Sequence, residues 1–140
     1  MYLGEFRHSV DEKGRLFIPA RFRKQENERF FITRGLDRCL FIFPENIWLD
    51  RQTRLQGLDI MKKEARAFGR LFFSGAAEVL CDRQGRINIP QNLVDYAGLE
   101  KEVVVIGVSD RFEVWSLKNW KEYESASSGR YEEIAENLVE

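Results

Sequence analysis

Twice in this chain an aspartate precedes an arginine by four residues across a glycine turn. Residues 11–15 read Asp-Glu-Lys-Gly-Arg and residues 82–86 read Asp-Arg-Gln-Gly-Arg. The chemistry these residues offer is recognition rather than bond-breaking. A short carboxylate can hydrogen-bond its own backbone and shape a turn. Glycine takes a left-handed conformation at no steric cost. Arginine presents a planar fork of donors that fits phosphates and guanine edges, and it also makes ordinary surface ion pairs. In a single copy the ion pair, worth about 0–1 kcal/mol, is the plainer reading. The duplication changes that balance.

The duplication extends beyond the turns. Asp11, Gly14, Arg15, Ile18 and Pro19 match Asp82, Gly85, Arg86, Ile89 and Pro90 at an offset of 71 residues, five identities in nine positions. With one further residue inserted, Gly35 matches Gly107, Leu40 faces Phe112 and Trp48 matches Trp120. Two similar units in one chain suggest a pseudo-symmetric architecture and a repeated or paired target.

Catalysis finds little support. The one histidine, His8, falls inside an expected strand. Neither Cys39 nor Cys81 has a pairing or metal-type spacing, and both read as reduced core thiols. Gly14 and Gly85 each stand alone, so no phosphate-cradling loop is expected. No enzymatic activity, metal, cofactor or small-molecule substrate is expected.

The elements that must position the turns follow from periodicity. Residues 5–10 and 15–18 flank the first turn, and 77–81 and 86–89 the second, so each reads as a local β-hairpin. Leu16 and Ile18 alternate with Arg15 and Phe17, and Ile87 and Ile89 with Arg86 and Asn88. This puts the aliphatic pairs inward and each Arg on the opposite face. Pro19 and Pro90 are suited to the first position of short helices, the second running Gln91–Ala97 and stopping at Gly98. A second hairpin follows in each unit, Arg29–Thr33 with Leu40–Phe43 and Glu102–Ile106 with Phe112–Trp115. A tryptophan-bearing helix ends each unit, near Pro44–Leu55 and near Leu117–Glu124.

Residues 58–73 read as a helix between the units, with Met61, Ala65, Phe68 and Phe72 forming one apolar stripe. Residues 125–129 read as a weak linker. Tyr131, Ile134, Ala135 and Leu138 mark an acidic amphipathic tail, either a frayed terminus or a segment packed on a neighbouring subunit. Phe17, Phe22 and Phe30 near the first unit suit packing against the central helix or a subunit interface. The expected division is a first repeat over 5–57, an inter-repeat helix over 58–74, a second repeat over 75–124 and a tail over 125–140.

Composition bounds the rest. With 44% hydrophobic and 32% charged residues the chain reads as globular. No apolar run nears the roughly 18 residues of a membrane span, and no secretion signal is legible at the N-terminus. Net charge is −1, but residues 122–140 carry −5 and the remainder +4, with 15 Arg against 7 Lys.

The paired Asp-x-x-Gly-Arg-(Leu/Ile)-x-Ile-Pro segments resemble the two halves of the MraZ family of bacterial transcriptional regulators. More broadly they are similar to AbrB-type swapped-hairpin domains. The resemblance covers almost the whole chain. It implies a mainly β, α+β fold in which two tandem repeats form one pseudo-twofold, double-ψ or swapped-hairpin type β-barrel with flanking helices. It further implies a homo-oligomer, a ring, that binds double-stranded DNA at short tandem promoter repeats. Such a protein acts mainly as a repressor of the division and cell-wall gene cluster that includes its own gene. It is cytoplasmic and associated with the nucleoid. Carried onto this sequence, the DNA contacts fall on Arg15 and Arg86, with Lys13 and Arg83 beside them. Asp11, Gly14, Asp82 and Gly85 shape the turns. Arg7, Arg21 and Arg23 extend the basic surface of the first copy. Two rival readings stand against this one: a barrel enzyme, which the lack of catalytic residues disfavours, and a protein-binding scaffold.

Overall fold

The computed structural model describes residues 1–139. It is a mixed α/β protein built on antiparallel sheet. The strands are β1 (Glu5–Ser9), β2 (Arg15–Phe17), β3 (Arg29–Arg34), β4 (Leu40–Pro44), β5 (Ala77–Leu80), β6 (Arg86–Asn88), β7 (Glu102–Gly107) and β8 (Phe112–Ser116). The helices are α1 (Glu45–Gln56), α2 (Lys63–Ser74), α3 (Gln91–Ala97), α4 (Leu117–Ser127) and α5 (Tyr131–Leu138). Six strands form one sheet in the order β1-β7-β8-β4-β3-β5, and β2 pairs with β6 in a separate ribbon.

This topology corrects the two local hairpins at the turns. β1 does not run alongside β2. It pairs with β7 over five positions, Glu5 opposite Ile106 through Ser9 opposite Glu102. β5 likewise pairs with β3, and β2 with β6. Around the first turn the local pairing is reduced to the Val10–Leu16 bridge and the Asp11 N–H bond to Arg15 O. The cause is one of length. A three-residue strand offers β1 few ladder bonds, whereas β7 offers a full row, and unpaired buried backbone groups are costly. The later hairpins do form, β3 with β4 and β7 with β8. With β4 also pairing β8, most ladders join one half of the chain to the other.

The ribbon packs its inner face onto the sheet. Leu16, Ile18, Ile87 and Ile89 are buried there with Phe22, Phe30, Ile32, Ile42, Leu93, Val103, Val105, Phe112 and Val114. Period two therefore sorts these strands inward and outward as their residues dictate. Phe22 and Phe30 are core residues, edge-on or tilted to Tyr2, Phe6 and Phe112, and line neither the central helix nor an exposed surface.

The segments after the two prolines differ. Both prolines sit just outside their helices as caps with extended ψ, not at the first helical position. After Pro90 a true helix, α3, buries Leu93 and Ala97 and ends at Gly98 with φ +60°. After Pro19 only a 3₁₀ turn over Ala20–Phe22 forms. The matching positions explain this. Phe22 stands where Leu93 stands, but Glu26 stands where Ala97 does, so no second apolar side chain holds a further turn inward. The left-handed residue survives even so, as Asn27 with φ +55°.

On the sheet's other face α1 and α2 enclose a second cluster, Phe43, Trp48 and Phe72 with Phe31, Phe41, Ile47 and Leu55. α2 begins at Lys63 rather than near 58. Residues 59–62 make a turn in which Lys62 N–H donates to Asp59 O at 3.0 Å and Met61 N–H donates to the Asp59 carboxylate at 2.9 Å. Of the apolar stripe read there, Phe72 is buried, while Met61 and Phe68 face water. Residues 125–127 continue α4, whose start is capped by the Ser116 hydroxyl accepting from Asn119 N–H at 3.0 Å. The linker read at 125–129 is thus mostly helix. α5 is exposed throughout its length.

Candidate nucleic-acid interface

Each Asp–Arg turn is a compact clamp. Asp11 Oδ1 accepts from the backbone N–H of Lys13 and of Arg15, both at 2.9 Å, and Oδ2 accepts from Arg15 Nε at 2.6 Å. Asp82 repeats the pattern with Gln84 N–H, Arg86 N–H at 2.8 Å and Arg86 Nε at 3.0 Å. Gly14 N–H and Gly85 N–H close the turns onto Asp11 O and Asp82 O. Gly14 has φ +80° and Gly85 φ +86°, a region costly for any residue with a Cβ.

These bonds hold the carboxylates in their charged form. The Asp11 pKa lies below its ordinary value of 3.8, chiefly because the Arg15 backbone N–H donates to it. Asp82 is lowered in the same way, first by the Arg86 N–H. The Nε of each Arg is spent on its aspartate. The Nη ends are the part of each guanidinium left to reach outward, with Arg15 about a third exposed and Arg86 about a fifth.

The two clamps are locked side by side. Ile18 N–H donates to Gly85 O, and Ile89 N–H donates to Gly14 O, each at 2.8 Å. Each turn is therefore fastened to the strand leaving the other. Within the ribbon Arg15 lies opposite Asn88 and Phe17 opposite Arg86. All four side chains occupy the outer face, because the inner face takes Leu16 and Ile87. Arg15 and Arg86 are diagonal neighbours, roughly 7–8 Å apart at the backbone. Lys13 and Arg83 stand exposed in the turns.

One cation is placed differently from its position in the sequence. Arg23 follows the first repeat's turn but packs on the second. Its Nε donates to Ile18 O at 3.0 Å, and its guanidinium packs against Gly85, so that a carbon added there would meet Nη1 at 2.5 Å. The matching residue of the second repeat is Val94, so the first turn has no such neighbour. No local signal reveals this, because it depends on the exchange of strands between repeats. Arg7 stays exposed on β1, opposite Val104.

The remaining chemistry-bearing residues lie elsewhere. His8 on β1 has its pKa lowered by burial. Cys39 and Cys81 are buried free thiols, both pushed up by desolvation. Among the described residues no cluster of His, Cys, Asp and Glu is arranged to hold a metal ion. Nor, among them, is any helix long and apolar enough to cross a membrane.

Comparison with known proteins points one way. A family model described as "MraZ protein, putative antitoxin-like" matches residues 1–71 and again residues 72–140. The chain is 49% identical over 140 residues to the protein named "Transcriptional regulator MraZ" of Desulforamulus reducens, covering all of this chain and 99% of that one. Similarity of the same order, 49% and 51% identity over 140 residues and 98% of each relative, extends to proteins of that name from Natranaerobius thermophilus and Moorella thermoacetica.

Proposed function

The chain belongs to the MraZ family, and from that membership we propose that it is a transcriptional regulator that binds duplex DNA through the outer face of the β2–β6 ribbon and its two turns. The observation that carries this reading is the pair of cross-locked Asp–Arg clamps. They aim two preorganised guanidinium groups from one surface at a spacing set by the ladder. An antiparallel two-stranded ribbon is one of the shapes that fits the major groove. Arg15 and Arg86 are the leading contacts, Lys13 and Arg83 flank them, and Arg23 adds positive charge at the second turn. Asp11, Gly14, Asp82 and Gly85 hold the geometry, since a carboxylate facing phosphate would repel it.

The finer parts of the reading follow from family membership and the topology. The ribbon joins both edges of the six-stranded sheet, through the Val10–Leu16 bridge and the Asp82–Arg86 turn. That arrangement supports a pseudo-twofold barrel of swapped-hairpin type, with repeats over 5–57 and 75–124 and a joining segment over 58–74. One ribbon face presents only the few cations named above. Several chains in a homo-oligomeric ring, placed on tandem promoter repeats, add their contacts through effective concentration, a gain of about 10²–10⁴. The regulator acts in the cytoplasm at the nucleoid, mainly as a repressor of the division and cell-wall cluster that includes its own gene. No catalytic step is assigned to it.

The test is fluorescence-anisotropy titration with DNA from upstream of its own gene, scrambled DNA and a salt series. Selective binding should weaken with salt at a log–log slope near −0.9 per neutralised phosphate. Arg15→Ala/Arg86→Ala should abolish selectivity while melting near the native temperature. Wild-type affinity in that double variant refutes the assignment. Absence of binding at low salt by the intact protein favours the scaffold alternative.

A further inference from the structure

We propose that Phe17 and Asn88 read bases, so that the two diagonal halves of the ribbon face recognise different nucleotides. The inference rests on the DNA-binding reading above and sharpens it into a claim about specificity.

The ribbon register supplies the argument. Arg15 lies opposite Asn88, and Phe17 lies opposite Arg86. Side chains directly across a ladder are about 4.5–5.5 Å apart. Any duplex touched by both arginines therefore lies within reach of the other two. Phe17 is 47% exposed, so its ring presents apolar surface to solvent on the outer face. Its neighbour on that face is the Arg86 guanidinium, 5.9 Å from the ring centre. Asn88 is exposed on the same face.

The chemistry of these residues is selective. An asparagine amide pairs bidentately with adenine, its Nδ2–H donating to N7 and its Oδ1 accepting from the N6 amino group. A phenylalanine ring makes apolar contact with the thymine methyl group. Arginine takes guanine O6 and N7. One corner of the face thus offers an arginine with an asparagine, and the other an arginine with a phenylalanine.

This breaks the twofold relation where it matters. The pseudo-symmetry exchanges Arg15 with Arg86, but it sets Phe17 on Asn88. The scaffold repeats and the reading chemistry does not. A face of this kind selects a directional site rather than a palindrome. Directional sites placed head to tail make a tandem array.

The experiment uses the full chain and the same upstream duplex in competition anisotropy. Each thymine is replaced singly by uracil, which removes only the methyl group. Each adenine is replaced by 7-deazaadenine, which removes only the N7 acceptor. Wild type should lose about fourfold at a contacted thymine, the worth of one buried methyl. It should lose roughly 5- to 150-fold at a contacted adenine, the span of one bidentate pair. Phe17→Ala should be blind to the uracil change, and Asn88→Ala to the deaza change. Phe17→Leu, which keeps apolar bulk, should retain part of the methyl response, and melting curves show that each variant is folded. If both alanine variants respond to every base change as wild type does, while Arg15→Ala/Arg86→Ala has lost binding, this inference is overturned and DNA binding stands. If Phe17→Ala alters the oligomer's size with an unchanged base profile, the ring is an interface residue and the inference is likewise overturned. Full binding by the arginine double variant overturns both readings.

Discussion

The aspartate of each turn does more than pair with an arginine. Its backbone bonds set the turn, and its second oxygen aims the side chain. The exposed ion pair alone has little worth, whereas several bonds converging on one carboxylate hold a geometry. The pH dependence follows in sign. Asp11 and Asp82 have folded-state pKa values below the ordinary 3.8. Their contribution to stability is therefore complete above that value and is lost as pH falls through the lower folded values. Carboxyl-carbon NMR titration should give midpoints below 3.8 for both residues. Melting below pH 4 should fall more steeply in the wild type than in Asp11→Asn/Asp82→Asn. Midpoints at or above 3.8 would remove the clamp as an explanation.

At the level of elements, the two halves keep the same strand plan and diverge in their helices. The helix after Pro90 exists because Leu93 and Ala97 face inward one turn apart, and its first-repeat counterpart stops because Glu26 cannot. One side chain ties α1 and α2 to the sheet together. Trp48 lies parallel to Phe31 at 5.3 Å and nearly parallel to Phe72 at 5.7 Å, joining strand, helix and helix. Trp48→Ala should cost about 3–5 kcal/mol, as large-to-small changes at buried aromatics do. Denaturant melts and hydrogen exchange should show α2 loosening first, with the ribbon still protected. Uniform loss of protection would instead mean that the second cluster and the main core open as one unit.

For the whole molecule, the decisive fact is that most strand ladders cross between repeats. β1 depends on β7, β2 on β6, β3 on β5 and β4 on β8. A single repeat leaves the edges of its own strands unpaired, and such edges are unstable and prone to association. Fragments 1–60 and 61–140, divided in the turn before α2, should each lack a cooperative melt. Mixed at equal concentration they should regain the native circular-dichroism spectrum and one shared transition. Independent cooperative folding of either fragment as a monomer would contradict this account.

Much of this protein is readable along the chain, because much of it is local. The duplicated turn, the inward aliphatic pairs, the later hairpins, the helix stopped by Gly98 and the family all follow from neighbouring residues and their spacing. A turn needs only an Asp and a Gly a few positions apart, and a strand face needs only period two. Partnership between distant strands carries no such mark. Any edge with open N–H and C=O groups can satisfy another, so Asp11–Arg15 looked like the tip of a local hairpin until β7 claimed β1. The same exchange carries Arg23 to the second turn and sets Phe17 beside Arg86. Those neighbours arise from long-range ladder bonds and a shared core, and the packed fold alone selects them.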